Sequence, residues 1–294
     1  MEMKKVLCIA GSSCDLIFGG LPELPAFGGE VFGTHFSMQA GGGANTPVLL
    51  ARSGVPTSFW TLIGQDLPGE ILKDSLVKSG VRIISHGQTV NRTPVSAVLS
   101  GPKDRAFVSF DEGAELIENN KALEDAIREA DIVQTYLSYC KSYPILQLCE
   151  RYGVKISLES CFFDQASKEN EAILKRCDYW KGNETEAKRI SGKENAKDAL
   201  LWASELVKAG AVITLGEKGS IGMEKGGTIV EQPPLVCGPV RDTCGAGDAY
   251  TAGFLYGLAE KLPFAACMQL GASTAGQVVS AYGGCPENVN IAKE

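Results

Sequence analysis

Short apolar runs alternate along the chain with longer stretches of helical periodicity. The apolar runs are rich in Val, Ile and Leu and close at Gly, Ser or Thr, which is typical of buried strands. They span residues 6–11, 57–64, 132–135, 154–158 and 211–215. The helical stretches span residues 45–52, 69–78, 120–129, 144–152, 168–176, 183–190 and 195–209. This alternation predicts parallel β-α-β units with helices on both faces of one sheet.

Two stretches interrupt the alternation. Residues 15–36 are rich in Gly, Pro and aromatic residues, and residues 93–110 hold two apolar runs around the turn at 101–104, which is typical of a β-hairpin. We expect the two stretches to pair as a small sheet over the main domain. That sheet is either a lid over a ligand site or a plain extension of the sheet edge. Residues 1–294 are otherwise expected to form one domain.

Composition and charge restrict the class of protein. With 294 residues, 44% hydrophobic and 21% charged, the chain is an ordinary globular protein. The net charge of −7 disfavours nucleic acid as a partner and favours a small polar ligand. No run approaches the roughly 18 apolar residues of a membrane span, and the first five residues lead directly into a strand-like run instead of a secretory signal. We therefore expect a cytoplasmic protein without membrane contact.

The cysteine pattern indicates thiols instead of a metal cluster. The ten cysteines include no C-x-x-C pair, and only His35 and His86 could add imidazole ligands. Reduced and mostly buried thiols are the expectation. Cys244 is the exception, because a thiol beside a helix N-terminus can gain thiolate character.

A glycine-rich turn stands out late in the chain. The segment 242–248, Asp-Thr-Cys-Gly-Ala-Gly-Asp, precedes an apolar helical run. The backbone amides of Gly245, Ala246 and Gly247 can approach an anion closely, because these residues carry almost no side chain and lie where the first amides of a helix have no internal partner. Asp248 follows directly, where its carboxylate could reach a second substrate that reacts with this anion. This arrangement favours phosphoryl transfer.

Two common nucleotide-binding signatures are missing from the sequence. A P-loop would need Gly-Lys followed by Ser or Thr, but Gly192-Lys193 is followed by Glu194. A dinucleotide-binding turn would need G-x-G-x-x-G after the first strand, where segment 11–15 reads Gly-Ser-Ser-Cys-Asp. P-loop enzymes and hydride-transfer enzymes are therefore disfavoured.

A second glycine turn lies far upstream, where segment 41–45 reads Gly-Gly-Gly-Ala-Asn and opens a helix. Together with segment 242–248, it resembles the paired signatures of the PfkB, or ribokinase-like, family of carbohydrate and nucleoside kinases, over nearly the whole chain. The resemblance implies an α/β fold, a three-layer αβα sandwich with a mostly parallel central sheet and a small β-sheet lid. It also implies ATP and Mg²⁺. The first turn departs from the family pattern, since either Ala40 replaces a glycine or the loop is one residue shorter.

The resemblance implies roles for both turns. Asp248 would be the catalytic base, with the amides of Gly245, Ala246 and Gly247 stabilising the transferring phosphoryl group. The substrate hydroxyls would be bound by Asp15, Gly41, Gly42, Gly43 and Asn45. The alternatives are a helix-capping role for Asp248 and a solvated turn position for Asp15.

Further residues match the family's nucleotide and metal positions. Asn183 and Glu186 resemble an Asn-x-x-Glu motif that organises magnesium and phosphate through water, although the same spacing is often only a capping box. The family usually has Pro before this Asn, and Gly182 stands here. The remaining nucleotide-binding candidates are Thr214, Gly216, Gly219, Ser273 and Gln277. Asp242 and Thr243, with the turn at 281–285, match positions near a monovalent cation, so K⁺ is a possible activator.

We expect an ATP-dependent, magnesium-requiring kinase that phosphorylates a hydroxymethyl group of a sugar, as ribokinases and fructokinases do. A nucleoside kinase of the same fold and a non-catalytic ligand-binding relative are the alternatives. Phe27, Phe32, Phe36 and Phe107 could stack on a nucleoside base or pack within the lid. Arg92 and Arg105 could hold a substrate phosphate or be solvated. Exposed lid strand edges predict a homodimer through the lid.

Overall fold

The computed structural model describes residues 3–85, 92–101, 105–113, 121–161 and 163–291. Its strands, in chain order, are β1 (Val6–Ile9), β2 (Ser12–Gly19), β3 (His35–Gly42), β4 (Thr57–Thr61), β5 (Arg82–Ser85), β6 (Val95–Ser100), β7 (Arg105–Phe110), β8 (Ile132–Tyr136), β9 (Lys155–Glu159), β10 (Tyr179–Asn183), β11 (Gly210–Thr214), β12 (Ser220–Glu224) and β13 (Val230–Gln232). Its helices are α1 (Asn45–Arg52), α2 (Leu67–Lys78), α3 (Lys121–Glu129), α4 (Leu137–Ser142), α5 (Ile145–Tyr152), α6 (Lys168–Leu174), α7 (Glu184–Ser191), α8 (Ala196–Leu206), α9 (Ala246–Ala259) and α10 (Phe264–Val278).

A large sheet runs through the described chain in the order β13-β12-β11-β10-β9-β8-β1-β4-β5. Its strands are parallel except for β12 and β13, which add to one edge in antiparallel fashion. A separate small sheet has the order β3-β2-β6-β7. The predicted α/β class, with a mostly parallel central sheet and a small additional sheet, is confirmed.

The five predicted strands are present as β1, β4, β8, β9 and β11. Four strands of the large sheet were missed. Strand β10 reads Tyr-Trp-Lys-Gly-Asn, so a lysine and a glycine interrupt the apolar run that indicates a buried strand. Strands β5, β12 and β13 lie at or next to the edges of the sheet and are short or polar. Their sequences carry no clear apolar pattern, so they form strands because they pair with neighbouring strands.

The predicted helices are present within a few residues of their expected ends. The first, α1, begins at Asn45 and ends at Arg52, as predicted. The N-cap of α2 is Asp66, whose Oδ1 accepts a hydrogen bond from the Gly69 amide at 3.0 Å, so this helix begins before the predicted residue 69. The expected start of α3, residue 120, lies outside the described residues. Helix α4 was not predicted.

Both faces of the large sheet are buried, which makes the main body three layers thick. Alternate residues of β1 belong to different apolar clusters: Leu7 and Ile9 join one, and Val6 and Cys8 join the other. All four are at most 1% exposed. A strand that buries both of its faces reads as a continuous apolar run, which is why β1 was recognisable in the sequence.

The small sheet is longer than the sequence indicated. Strand β2 begins at Ser12 and β3 extends to Gly42, so the predicted boundaries of 15–36 were too narrow. The reason is that β2 follows β1 after only two residues, and the glycine turn at 41–43 closes the far end of β3. The predicted hairpin is present as β6 and β7, and its turn residues 102–104 lie outside the described residues.

The two faces of the small sheet differ in character. Residues paired across neighbouring strands share a face. One face carries Asp15, Ile17 and Val98, which are buried against the main body. The opposite face carries Phe36 and Val108, which are 56% and 66% exposed. Within the described part of the chain, no helix is long and apolar enough to cross a membrane.

Candidate active site

The glycine-rich turn leads into α9 as the sequence predicted. Gly245 has a left-handed backbone with φ 69° and is the N-cap residue of the helix. A Cβ atom there would lie 2.3 Å from the Cα of Gly284, so only glycine fits this position. Among the residues that the structure describes, no side chain caps the helix start, which leaves first-turn backbone amides available to an anion.

Asp248 lies in the first turn of α9 and is half-buried. Its Oδ2 accepts a hydrogen bond from Asn45 Nδ2 at 2.8 Å, and its Oδ1 lies 3.5 Å from the Tyr136 hydroxyl. Burial and the nearby carboxylate of Glu159 raise the pKa of Asp248 to about 6. A carboxylate with a pKa near the working pH can accept a proton and release it again.

Asp15 lies within β2 and is 4% exposed, so it is a buried residue of the small sheet and not a solvated turn position. Ser13 Oγ donates to its Oδ1 at 2.7 Å. Burial and, to a smaller extent, Asp242 raise the pKa of Asp15 to about 6, against the lowering effect of the Ser13 hydrogen bond. A buried carboxylate with this little compensation is typical of a binding or catalytic position.

The upstream glycine turn makes room for Asp15 and Asn45. A Cβ on Gly41 would lie about 2 Å from the Asp15 carboxylate, as the 1.9 Å distance to its Cγ shows. Gly42 has φ 58°, and a Cβ on Gly43 would lie 2.6 Å from the carbonyl oxygen of Gly11. The glycines therefore serve close packing here, and their predicted contacts with a substrate stay a prediction.

Three loops distant in sequence lock together at the helix start. The Asp242 carboxylate accepts hydrogen bonds from the amide of Cys244 at 2.9 Å and from the amide of Gly283 at 3.0 Å. A Cβ on Gly284 would lie 2.4 Å from Asn45 Nδ2. Asp242 is thus occupied as a bridge between two loops, and its role beside a monovalent cation stays a prediction.

The small sheet contacts the same turn directly. Arg105 on β7 donates a hydrogen bond to the Thr243 hydroxyl. Ile17 and Val98 of the small sheet form one apolar cluster with Cys244 of the turn, and Tyr282 packs against it. Burial, together with nearby carboxylates, raises the pKa of Cys244, so the expected thiolate character is wrong. The cause is that the small sheet covers the thiol.

Asn183 and Glu186 form a reciprocal capping box at the start of α7. The Glu186 amide donates to Asn183 Oδ1 at 2.9 Å, and the Asn183 amide donates to Glu186 Oε2 at 2.8 Å. The glycine that replaces the expected proline has a structural reason, because a Cβ on Gly182 would lie 2.9 Å from the ring of Trp180. The indole N–H of Trp180 donates to Ser160 Oγ at 2.7 Å. Trp180 therefore buttresses the turn before Asn183.

The surroundings of Glu186 fit a hydrated magnesium ion. The capping box uses only Oε2 of its carboxylate. Burial raises the pKa of Glu186, and Glu159 and Asp164 act in the same direction. Within the described residues no group of three or more His, Cys, Asp or Glu side chains is arranged to hold a metal ion directly, so a magnesium ion here would be held through water.

The remaining nucleotide-side candidates occupy two regions. Thr214 ends β11 and is the register partner of Asn183 on β10, so these two lie side by side. Gly216 begins a single 3₁₀ turn with φ 60°, and Gly219 packs against the backbone of residues 232–234. Ser273 and Gln277 are half-buried and lie one turn apart on α10. Their contacts with a nucleotide stay a prediction.

Four residues near Asp248 were missed in the sequence. Glu159 forms a 2.7 Å ion pair with Lys181, and Gln134 donates to Glu159 at 2.9 Å. Lys181 also donates to the carbonyl of Gly247 at 3.2 Å, and Tyr136 approaches Asp248 itself. The available signal was a charged residue at the end of an otherwise apolar strand, Lys-Ile-Ser-Leu-Glu, for β9.

A cavity of about 450 Å³ lies beside Ser13, one residue pair away from the Asp15 carboxylate. It is bounded by the ends of β1 and β4, by β6 and β7 and by α4, and Ser13, the partner of Asp15, lies in its wall. Its lining combines hydroxyls with aromatic rings: Ser12, Ser13, Thr61, Ser96, Ser109, Ser138, Ser142, Trp60, Phe110, Tyr139 and Tyr143. Such a mixture suits a ligand with both hydroxyl groups and a flat apolar surface.

A family model for pfkB family carbohydrate kinases matches residues 3–290. Together with the relatives described below, this match shows that the protein is a phosphotransferase with an alcohol group as acceptor, of the kind that acts on sugars or nucleosides. More particularly, the chain belongs to the pfkB family of carbohydrate kinases, which confirms the predicted resemblance.

Individual relatives agree with this membership over most of the chain. The chain is 26% identical to a ribokinase of Lactococcus lactis subsp. lactis, covering 97% of this chain and 95% of that protein. It is 28% identical to a cytidine kinase of Thermococcus kodakarensis, covering 85% and 91%. Its fold is similar to that of an Arabidopsis thaliana ribokinase complexed with ribose and ATP, with a TM-score of 0.76, 21% identity and coverage of 99% and 95%.

The raised pKa of Asp15 gives a stability prediction. The folded state holds this proton more tightly than the unfolded chain, so the stability contributed by Asp15 is present below about pH 4 and is lost as the pH rises through about 6. Replacing Asp15 by Asn should therefore raise the free energy of unfolding at pH 8 by about 1–3 kcal/mol, and by about half as much at pH 5. Urea unfolding at both pH values measures this.

The matched control is Asp74→Asn, which breaks an exposed pair with Lys78 on α2. Surface pairs of this kind contribute little, so the control should change stability far less than Asp15→Asn does at pH 8, and equally at both pH values. Equal effects of Asp15→Asn at pH 5 and pH 8 would contradict the assignment of a costly buried charge.

Proposed function

We propose that this protein transfers the γ-phosphoryl group of ATP to a hydroxymethyl group of a sugar. The observation that carries the proposal is the environment of Asn45, which is 2% exposed. Its Nδ2 donates to Asp248, while its Oδ1 is buried and has no hydrogen-bond partner among the described residues. A substrate hydroxyl is the kind of group that would satisfy this oxygen.

The proposed mechanism assigns each group one task. Asp15 accepts hydrogen bonds from sugar hydroxyls, and Asn45 orients the reacting hydroxyl toward Asp248. Asp248 removes the hydroxyl proton as the oxygen attacks the γ-phosphorus in line with the departing ADP. The amides at 245–247, at the positive end of α9, stabilise the charge on the phosphoryl oxygens.

ATP and Mg²⁺ belong to this proposal. The Arabidopsis ribokinase, of similar fold, is complexed with ATP, and Glu186 beside Asn183 offers a carboxylate oxygen outside the capping box. Magnesium would neutralise phosphate charge when bound. Thr214, Gly216, Gly219, Ser273 and Gln277 would line the nucleotide side, and activation by K⁺ near Asp242 and Thr243 belongs to the same proposal.

One observation favours a second candidate, a nucleoside kinase. The cavity beside Ser13 continues to the rings of Phe110, Tyr139 and Tyr143, which could pack against a base. Two other aromatic candidates do not line it, since Phe27 and Phe32 are 110% and 77% exposed. Arg92 also lines the cavity, with its guanidinium 5.7 Å from the Phe110 ring and its Nε 3.7 Å from Glu112, so a phosphate on the substrate stays a prediction.

A panel of acceptor substrates distinguishes a sugar kinase from a nucleoside kinase and from a non-catalytic relative. ADP release would be followed with ATP, Mg²⁺ and, in turn, free sugars, sugar phosphates, cytidine and adenosine. We expect the highest kcat/KM with a free sugar. A higher value with a nucleoside would support the second candidate, and saturable binding of sugars without any ADP release would indicate a non-catalytic relative.

The role of Asp248 can be tested with one substitution. Asp248→Asn keeps an acceptor for Asn45 and a side chain of the same size, so the protein should fold and bind ATP, while kcat falls about 100-fold or more because the base is lost. Turnover and ATP affinity should be measured on the same preparation. Asp125→Asn, which removes a half-buried carboxylate on α3 far from Asp248 in sequence, is the control. Near-normal turnover of a folded Asp248→Asn protein would refute the assignment.

We propose that the protein forms a homodimer through the outer face of the small sheet, and not through the edges of its strands. Its outer face is apolar, with Phe36 and Met38 on β3 and Val108 on β7 all at least 48% exposed. An apolar face of this kind usually marks an interaction site. A second copy of the same face is its proposed partner.

Charge on this face should therefore dissociate the dimer. We expect Val108→Glu to convert a dimer into a monomer in light scattering at micromolar concentration, because association would bury the carboxylate. Leu201→Glu on α8 introduces the same change at a residue 38% exposed and should leave the dimer intact. A wild-type protein that is monomeric at this concentration would contradict the proposal.

A further inference from the structure

A row of three polar side chains crosses three parallel strands under the start of α9. Tyr136 and Glu159 are the last residues of β8 and β9, and they are register partners. Glu159 is in turn the register partner of Lys181 on β10. Because register partners project from the same face of a sheet, the three side chains form one continuous row. The row lies among strands that otherwise bury apolar residues.

The middle of the row is a buried ion pair. Lys181 Nζ lies 2.7 Å from Glu159 Oε2, and the two side chains are only 12% and 6% exposed. Gln134 Nε2 donates to the other oxygen, Oε1, at 2.9 Å. Removing two charges from water is costly, and a buried pair often stabilises a protein no better than apolar residues would. The pair therefore calls for a role other than stability.

Both ends of the row contact the first turn of α9. Lys181 Nζ donates to the carbonyl oxygen of Gly247 at 3.2 Å, and the Tyr136 hydroxyl lies 3.5 Å from Asp248 Oδ1. The carbonyl of Gly247 and the amide of Asp248 belong to the same peptide group. Thr251 Oγ1 donates to the same carbonyl oxygen at 3.1 Å, so Lys181 is one of two side chains that hold the peptide between the anion-binding glycines and Asp248.

The pair also determines the charge around Asp248. The groups that face its carboxylate are Asn45 on α1, Asp15 on β2, Tyr136 on β8 and the pair itself on β9 and β10. Glu159 and Asp15 raise the pKa of Asp248, whereas Asn45 and Lys181 lower it. Burial lowers the pKa of Lys181, but attraction to Glu159 outweighs it, so Lys181 stays positively charged.

We propose that Lys181, held in place by Glu159, is a positioning residue for phosphoryl transfer: it fixes the Gly247–Asp248 peptide and offsets negative charge beside Asp248. This inference rests on the proposed role of Asp248 as base. Lys181 touches neither substrate in this assignment. It acts through the backbone of the helix start and through its charge.

The two members of the pair should have opposite effects on the pH profile. If Asp248 must be deprotonated to act, kcat falls as the pH drops below about 6. Loss of the positive charge in Lys181→Met should move this acid limb upward by about one pH unit, and loss of the negative charge in Glu159→Gln should move it downward. Lys181→Met should also reduce kcat at pH 8 by about tenfold, because the Gly247 carbonyl loses its contact with the lysine and keeps only that with Thr251, with KM for the acceptor changed by less than about twofold.

The experiment measures kcat and KM from pH 5 to pH 9 with ATP, Mg²⁺ and the best acceptor of the panel. Lys188→Met is the matched control, because it removes a lysine from an exposed 2.8 Å pair with Glu184 on α7. It should leave the acid limb in place. Near-UV circular dichroism and the melting temperature of each variant test folding, and Glu159→Gln alone still tests the direction of the shift where Lys181→Met fails to fold.

Opposite shifts in the two variants support the proposal. Shifts in the same direction, or an unchanged acid limb in folded variants, overturn it and leave the pair a purely structural contact. Failure of the proposed function gives a different result, because the wild-type protein would then release no ADP with any acceptor of the panel.

Discussion

The cost of removing several neighbouring carboxylates from water is the constraint on which the site depends. Burial is the largest cause that raises the pKa of Asp15 and of Asp248 to about 6. Asp242 adds to the effect at Asp15, and Glu159 and Asp15 add to it at Asp248. Each carboxylate is therefore matched by a donor: a serine hydroxyl, a lysine, two loop amides and an asparagine amide. The matching is incomplete at Asp15, and incomplete compensation is what leaves a group available for ligands.

Close loop packing is the means by which these donors reach their partners. Gly41 leaves space for Asp15, Gly284 leaves space for Asn45, and Gly245 leaves space for Gly284. Any larger residue at these positions would collide with a neighbour from a different loop. The glycines that look like anion-binding elements in the sequence therefore also serve a second purpose, which is to let three distant segments meet around one carboxylate.

The sequence was informative where local pattern and tertiary structure agree. Strand β1 was recognisable because it is buried on both faces, and the turn before α9 because glycines and an acid precede an apolar helix. The row of Tyr136, Glu159 and Lys181 could not be predicted, since strand register brings its members together across 45 residues of chain. The burial of Cys244 was equally hidden, because Ile17 and Val98 cover it from another sheet.

The indole of Trp180 gives the turn before Asn183 a different kind of stiffness from that of a proline ring. A proline restricts the backbone covalently, whether or not the surrounding protein is folded. Here the restriction comes from packing against Gly182 and from a hydrogen bond to Ser160. The geometry of the Asn183 turn is therefore only as durable as the adjacent core. Warming that loosens the core would therefore disturb the geometry of the Asn183 turn before the whole chain unfolds.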